Sequence, residues 1–189
     1  MNFERYQDWV RVSFRWARDE ESAYQVPHHV QTLGIVDAEL RGIRKPDLFH
    51  PEGKPKEDEF GILKMEHYQI KAHLWVLGAY ELVRMISQRV REDESLTTDA
   101  AIETIHKTKK QFERVRIPLA KLEASRKNRK TDFNIAYAGI GPDGLAWKVA
   151  DDYIISQEYL SDLLHKMMAT IWPREHNHSI LPNVNTSVE

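Results

Sequence analysis

Cysteine is absent from this sequence of 189 residues. Disulfides, thiolate zinc sites and a cysteine nucleophile are therefore excluded, and the composition fits the reducing cytoplasm expected of the chain. Long apolar runs are missing too. The best stretch, Ala72 to Val83, is broken by His73, Gly78 and Glu81, far short of the roughly 18 uninterrupted apolar residues of a membrane span. The first residues carry Glu4 and Arg5, unlike the apolar stretch of a signal peptide. No membrane partner is expected. Glycine is scarce, and its one cluster, Gly141 and Gly144, brackets a turn. Neither a Gly-x-Ser-x-Gly elbow nor a glycine-rich phosphate loop with its lysine is present, which removes the common serine-hydrolase and nucleotide signatures.

What is there is mostly helical periodicity. A single domain over 1–173 and a flexible tail over 174–189 are expected. Phe3, Tyr6, Trp9, Val10, Ser13, Trp16 and Ala17 share one side of a helix over 2–24, which Pro27 ends. Val30, Leu33, Val36, Leu40 and Ile43 repeat at core spacing over 29–44. Residues 46–57 hold three prolines and Gly53, so they read as a crossover loop. The next helix, over 58–92, is the longest. Ile70, Leu74, Trp75, Leu77, Leu82, Val83, Met85 and Ile86 cover more than half its circumference, which predicts a central helix enclosed by others. Thr97 or Thr98 caps a fourth helix with Ile102, Ile105, Phe112, Val115, Leu119 and Leu122 on its core side, kinked at Pro118 and ending in the cations 126–130.

The period then shortens to two. Phe133, Ile135 and Tyr137 alternate with small or polar residues, as do Leu145, Trp147 and Val149, around Gly141-Pro142-Asp143-Gly144. This predicts a β-hairpin over about 132–150 with one large-residue face. Ser156 caps a fifth helix that Pro173 stops. The fold expected is mainly α: a five-helix bundle-like domain, one of the five being the long central helix, with one hairpin.

Chemistry-bearing patterns are few. Glu103-x-x-His106 and Asp162-x-x-His165 have the spacing of carboxylate–histidine metal pairs, but helical geometry turns them away from the apolar stripes, so no metal site and no cofactor is expected. His28-His29 and His176-x-His178 are no better placed. Arg44 and His50 match the arginine–histidine spacing of HEPN-type ribonucleases, but they lie in the proline-rich loop instead of at a helix end. Nothing is carried over from that family.

Two constellations remain. Glu66, His73, Tyr80, Glu81 and Arg84 fall on one polar stripe of the central helix, a candidate ligand pocket if they meet in a concavity. The second is a run of charge. Residues 107–130 hold 10 Lys/Arg against 2 Asp/Glu, whereas 1–106 hold 14 against 19 and 131–189 hold 3 against 8. Within it Lys107, Lys110, Arg114 and Lys121 lie on one helix face, a candidate contact for nucleic-acid phosphates. No aromatic shares that face, so internal pairing or solvation is favoured. The leading expectation is a non-catalytic helical interaction or accessory protein that self-associates or binds another protein. A nucleic-acid-binding, ribonuclease-like protein is the second reading. A small-molecule enzyme or sensor using the polar stripe is the third.

Overall fold

The structure, a computed structural model, describes residues 1–14, 25–92, 98–141 and 144–170. Chain order within these is α1 (Phe3–Phe14), α2 (Gln25–Gly42), α3 (Lys45–Leu48), α4 (Glu59–Glu92), α5 (Asp99–Lys121), β1 (Tyr137–Gly141), β2 (Gly144–Ala150), β3 (Tyr153–Ser156) and α6 (Gln157–Thr170). The mainly helical class and the long central helix are as the periodicity predicts. Trp16, Ala17, Thr97, the Pro142–Asp143 corner, Pro173, His176, His178 and the tail lie outside the described residues.

Local chemistry explains most boundaries. Thr98 caps α5, its side chain accepting from the amide of Ala101, and Ser156 Oγ accepts from the amide of Tyr159 at 3.1 Å to cap α6. Pro118 falls in the last turn of α5, and Leu122 ends the helix in the left-handed region at φ 55, so the cations of 126–130 are not its C-terminus. They occupy a separate 3-10 turn, Arg126–Asn128, and the residues after it.

Four further expectations change. Pro27 sits in the first described turn of α2, where a missing amide costs nothing because first-turn amides have no helical partner. The proline-rich loop contains one helical turn, α3, and a bridge between Phe49 and Pro55. The hairpin is the first two strands of a three-stranded antiparallel sheet, order β1-β2-β3. Its first strand begins only at Tyr137, and Tyr137 pairs with Lys148 while Ala138 pairs with Trp147. Directly paired residues share a face. Leu145 and Trp147 therefore face the core with Ile140 and Ala138, and Tyr137 lies on the outer face with Lys148. Phe133 and Ile135 precede the strand, so alternation alone misplaced the first strand by about four residues.

The fourth change concerns α4. Its inner side is packed solid: Ala72, Trp75, Val76, Ala79, Leu82, Val83 and Ile86 join Phe112, Trp147, Leu160 and Met167 in one core. Its outer side is not covered by the described residues. Ile70 is 53% and Leu74 63% exposed, so the helix is central in the fold yet open along one face.

Candidate functional site

Four places deserve a chemical reading, and the most buried is a carboxylate. Val30, Leu33, Asp37 and Leu40 follow one another at core spacing on α2, and all four are buried. Asp37 thus occupies a core position. It is tolerable there because donors surround it. Its Oδ2 accepts from Nε of Arg5 and Nε1 of Trp9, each at 2.8 Å, and its Oδ1 accepts from Nε2 of Gln157 at 2.9 Å. Arg41 adds a longer ion pair at 3.6 Å and reaches Asp162 at 2.6 Å. Burial pushes the Asp37 pKa up, but the Arg5 bond and charge and the Trp9 N–H outweigh it, so the net shift is downward. A donor-saturated carboxylate held ionised has little basicity to offer. The node clamps α1, α2 and α6 together.

Asp162 faces outward, as helical geometry predicts, and closes this network with Arg5 and Arg41. His165 does not. It turns against Trp9, edge to ring at 5.1 Å between centroids, and burial lowers its pKa. Among the described residues no three histidine or carboxylate side chains converge to hold a metal ion.

The polar stripe of α4 divides. Tyr80 is buried beneath α5, its hydroxyl 3.4 Å from Glu113 Oε1 and its ring under the guanidinium of Arg116; burial and the Glu113 charge raise its pKa. His73 stacks on Trp147 of β2 at 5.9 Å, and burial lowers its pKa. Nε2 of His73 and Nε1 of Trp147 are both buried without a hydrogen-bond partner. Glu81 and Arg84 pair with each other at 2.7 Å on open surface, with Arg116 at 3.8 Å from Glu81. Glu66 is exposed further along. The five residues lie along the helix without lining the groove beside Lys110 or the one between Met1, Glu39 and Lys64.

The basic face of α5 divides as well. Lys107, Lys110 and Lys121 are exposed. Arg114 turns inward and grips the buried Asp132 with two nitrogens at 2.8 and 2.5 Å, stacked 4.0 Å from the Tyr153 ring. The Asp132 hydrogen bonds raise its pKa. It fastens α5 to the segment leading into the sheet, and its charge is already neutralised. Lys110 instead borders a groove of about 290 Å³ between the end of α4, the middle of α5 and the 3-10 turn.

The outer face of α4 is the fourth place. Phe60, Leu63, His67, Ile70, Leu74 and Leu77 follow one another at alternating steps of three and four residues, the a/d pattern of a coiled-coil seam. Phe60 is 76% exposed, and Leu63 and His67 are exposed with it. The residue list for this helix in sequence terms reads as core. Only the tertiary arrangement shows that Trp75, Ala79 and Leu82 already fill the inner side, and that the described residues leave this stripe exposed up to Leu74 and half-buried at Leu77. No helix of the described residues is long and apolar enough to cross a membrane. Compared with known protein families, with curated proteins and with solved structures, the chain matches none.

Proposed function

We propose that this chain is a non-catalytic, self-associating helical protein whose copies pair through the outer face of α4. The observation that carries this reading is the heptad stripe from Phe60 to Leu77, apolar at five of six positions, which the described residues leave exposed from Phe60 to Leu74 and half-buried at Leu77. Fully burying one such side chain stabilises by about 1.5–3 kcal/mol, and exposed apolar patches of this extent mark interaction surfaces.

Heptad spacing also favours a second copy of the same helix as the occupant. Knobs at a and d fit holes of a partner with the same repeat, and symmetric pairs are the commonest assemblies. Direction follows from where the stripe stops. Beyond Leu77 the same seam continues as Glu81 and Arg84. Parallel pairing would stack Glu81 on Glu81 and Arg84 on Arg84. Antiparallel pairing matches Phe60 with Leu77, Leu63 with Leu74 and His67 with Ile70 in every layer, and carries the charged half past the contact. The seam runs about 26 Å at about 1.5 Å per residue.

Light scattering on a size-exclusion column, across a concentration series, tests this. A dimer is expected that dissociates in Ile70→Asp and Leu74→Asp, with circular dichroism unchanged because both side chains are exposed. A wild-type monomer at the highest concentration, or a dimer that survives both substitutions, would overturn it.

A further inference from the structure

The groove beside Lys110 gathers charge that helix α5 alone does not explain. Arg91 comes from the last turn of α4, Lys109 and Lys110 from α5, and Lys127 from the 3-10 turn. Four cations from three separate elements thus face one volume, with the imidazole of His106 beside them and, among the described residues, a single carboxylate, Glu113, on the wall. That carboxylate is already engaged, 3.9 Å from Lys109 Nζ and 3.4 Å from the Tyr80 hydroxyl. Arg91 is held in place at its Nε, which donates to the carbonyl of Ser87 at 3.1 Å.

Like charges brought together from three elements repel one another, and the helix C-terminus at Glu92 offsets only part of that. Such a cluster is stabilised by a multivalent anion. From this geometry we infer that the groove binds the oligophosphate chain of a small ligand, of about triphosphate length.

Three features set the class. Arginine presents a fork matched to pairs of phosphate oxygens, and lysines serve as point charges around it. At about 290 Å³ the groove lies at the lower end of the range for ligand sites, so it takes a compact anion. No Trp, Tyr or Phe among the described residues lines it, and base recognition in single-stranded nucleic acid depends on stacking rings. The second groove, at about 310 Å³, offers a contrast. There Lys64 and Lys71 are balanced by Glu39 and Asp47.

The inference does not depend on self-association, since the groove and the outer stripe of α4 use different residues. Its test is calorimetric titration with sodium tripolyphosphate, ATP and a single-stranded RNA oligomer at low and moderate salt. Tripolyphosphate is expected to bind, to raise the melting temperature, and to weaken by about tenfold or more in Arg91→Ala/Lys110→Ala, the loss of two charge-assisted contacts. Lys64→Ala, in the other groove, should bind like wild type. ATP binding as tightly as tripolyphosphate assigns the site to the phosphate chain alone, and tighter ATP binding assigns it to a nucleoside triphosphate; both support an oligophosphate site. No binding at low salt would overturn it. So would RNA binding that exceeds tripolyphosphate and weakens equally on Lys107→Ala and Lys121→Ala, because that is an open nucleic-acid surface. Equal loss in Lys64→Ala would also overturn it, as unspecific charge attraction.

Discussion

Arg5 and Asp37 form an ion pair at 2.8 Å in which the carboxylate has no solvent exposure and the guanidinium side chain only 12%. Removing one member of such a pair costs more than the pair contributes, because the survivors stay buried with their charge or donors unmet. Asp37→Ala is therefore expected to destabilise the fold by about 3–5 kcal/mol, leaving Arg5, the Trp9 N–H and Gln157 without their acceptor. Chemical denaturation measures the loss. Combining Asp37→Leu with Arg5→Met should recover a large part of it; no recovery in the double variant would mean that Asp37 matters for something other than pairing.

This node was hardly legible in the sequence. Val30, Leu33, Val36, Leu40 and Ile43 complete the helical repeat without Asp37, so nothing in the spacing marked that carboxylate as buried. Its partners were not legible, since Arg5 and Gln157 lie 32 and 120 residues away. The same limit applies to α4. Periodicity identified a helix apolar most of the way round, but which half meets the core depends on where α2, α5 and β2 pack. Caps at Thr98 and Ser156 were readable because their chemistry is local. The third strand was not: Tyr153 to Ser156 is four residues long, too short for alternation to stand out against the helix that follows.

Two half-buried histidines make stability depend on pH. Burial lowers the pKa of His73 and of His165 from the ordinary value of 6.5. Below that value the unfolded chain takes up protons at both positions that the folded chain resists. The unfolded state then binds more protons, so the unfolding free energy falls as pH drops from 6.5 through the lower folded values. Acid below the ordinary carboxylate value of 3.8 removes the further contribution of Asp37, whose folded pKa is depressed. Urea midpoints at a series of pH values should show the first decline, and His73→Phe, which keeps a ring on Trp147, should flatten it. An unchanged slope in that variant would place the proton uptake elsewhere.

At the start of β2 a phenol holds the strand's backbone. Tyr68 Oη accepts from the amide of Leu145 at 3.0 Å, and a Cβ on Gly144 would lie 2.6 Å from that oxygen. Gly144 also has φ +75, where a side chain costs about 1–2 kcal/mol. Gly144→Ala should therefore lose more than Tyr68→Phe, which only leaves the buried Leu145 amide unmet at about 1–3 kcal/mol. If Gly144→Ala is as stable as wild type by thermal denaturation, Tyr68 is not fixed as described. The Tyr68→Phe/Gly144→Ala double variant should fall short of the sum, since the clash is with the oxygen that Phe lacks.

The direction of α4 pairing can be read by cross-linking, because the chain has no cysteine of its own and any thiol introduced is the sole reporter. In the antiparallel arrangement Leu63 of one copy faces Leu74 of the other, and each is far from its own symmetry mate. In a parallel seam Leu63 would face Leu63 and Leu74 would face Leu74. Both side chains are exposed in the single chain, so their replacement should not disturb the fold. Leu63→Cys and Leu74→Cys taken singly are therefore expected to stay monomeric on a non-reducing gel after mild oxidation. The double variant should give a dimer band, since a disulfide needs Cα atoms within about 7 Å and only the 63–74 pairing provides that. Efficient cross-linking of either single variant would establish the parallel seam instead, and with it a contact that accepts the Glu81 and Arg84 layers.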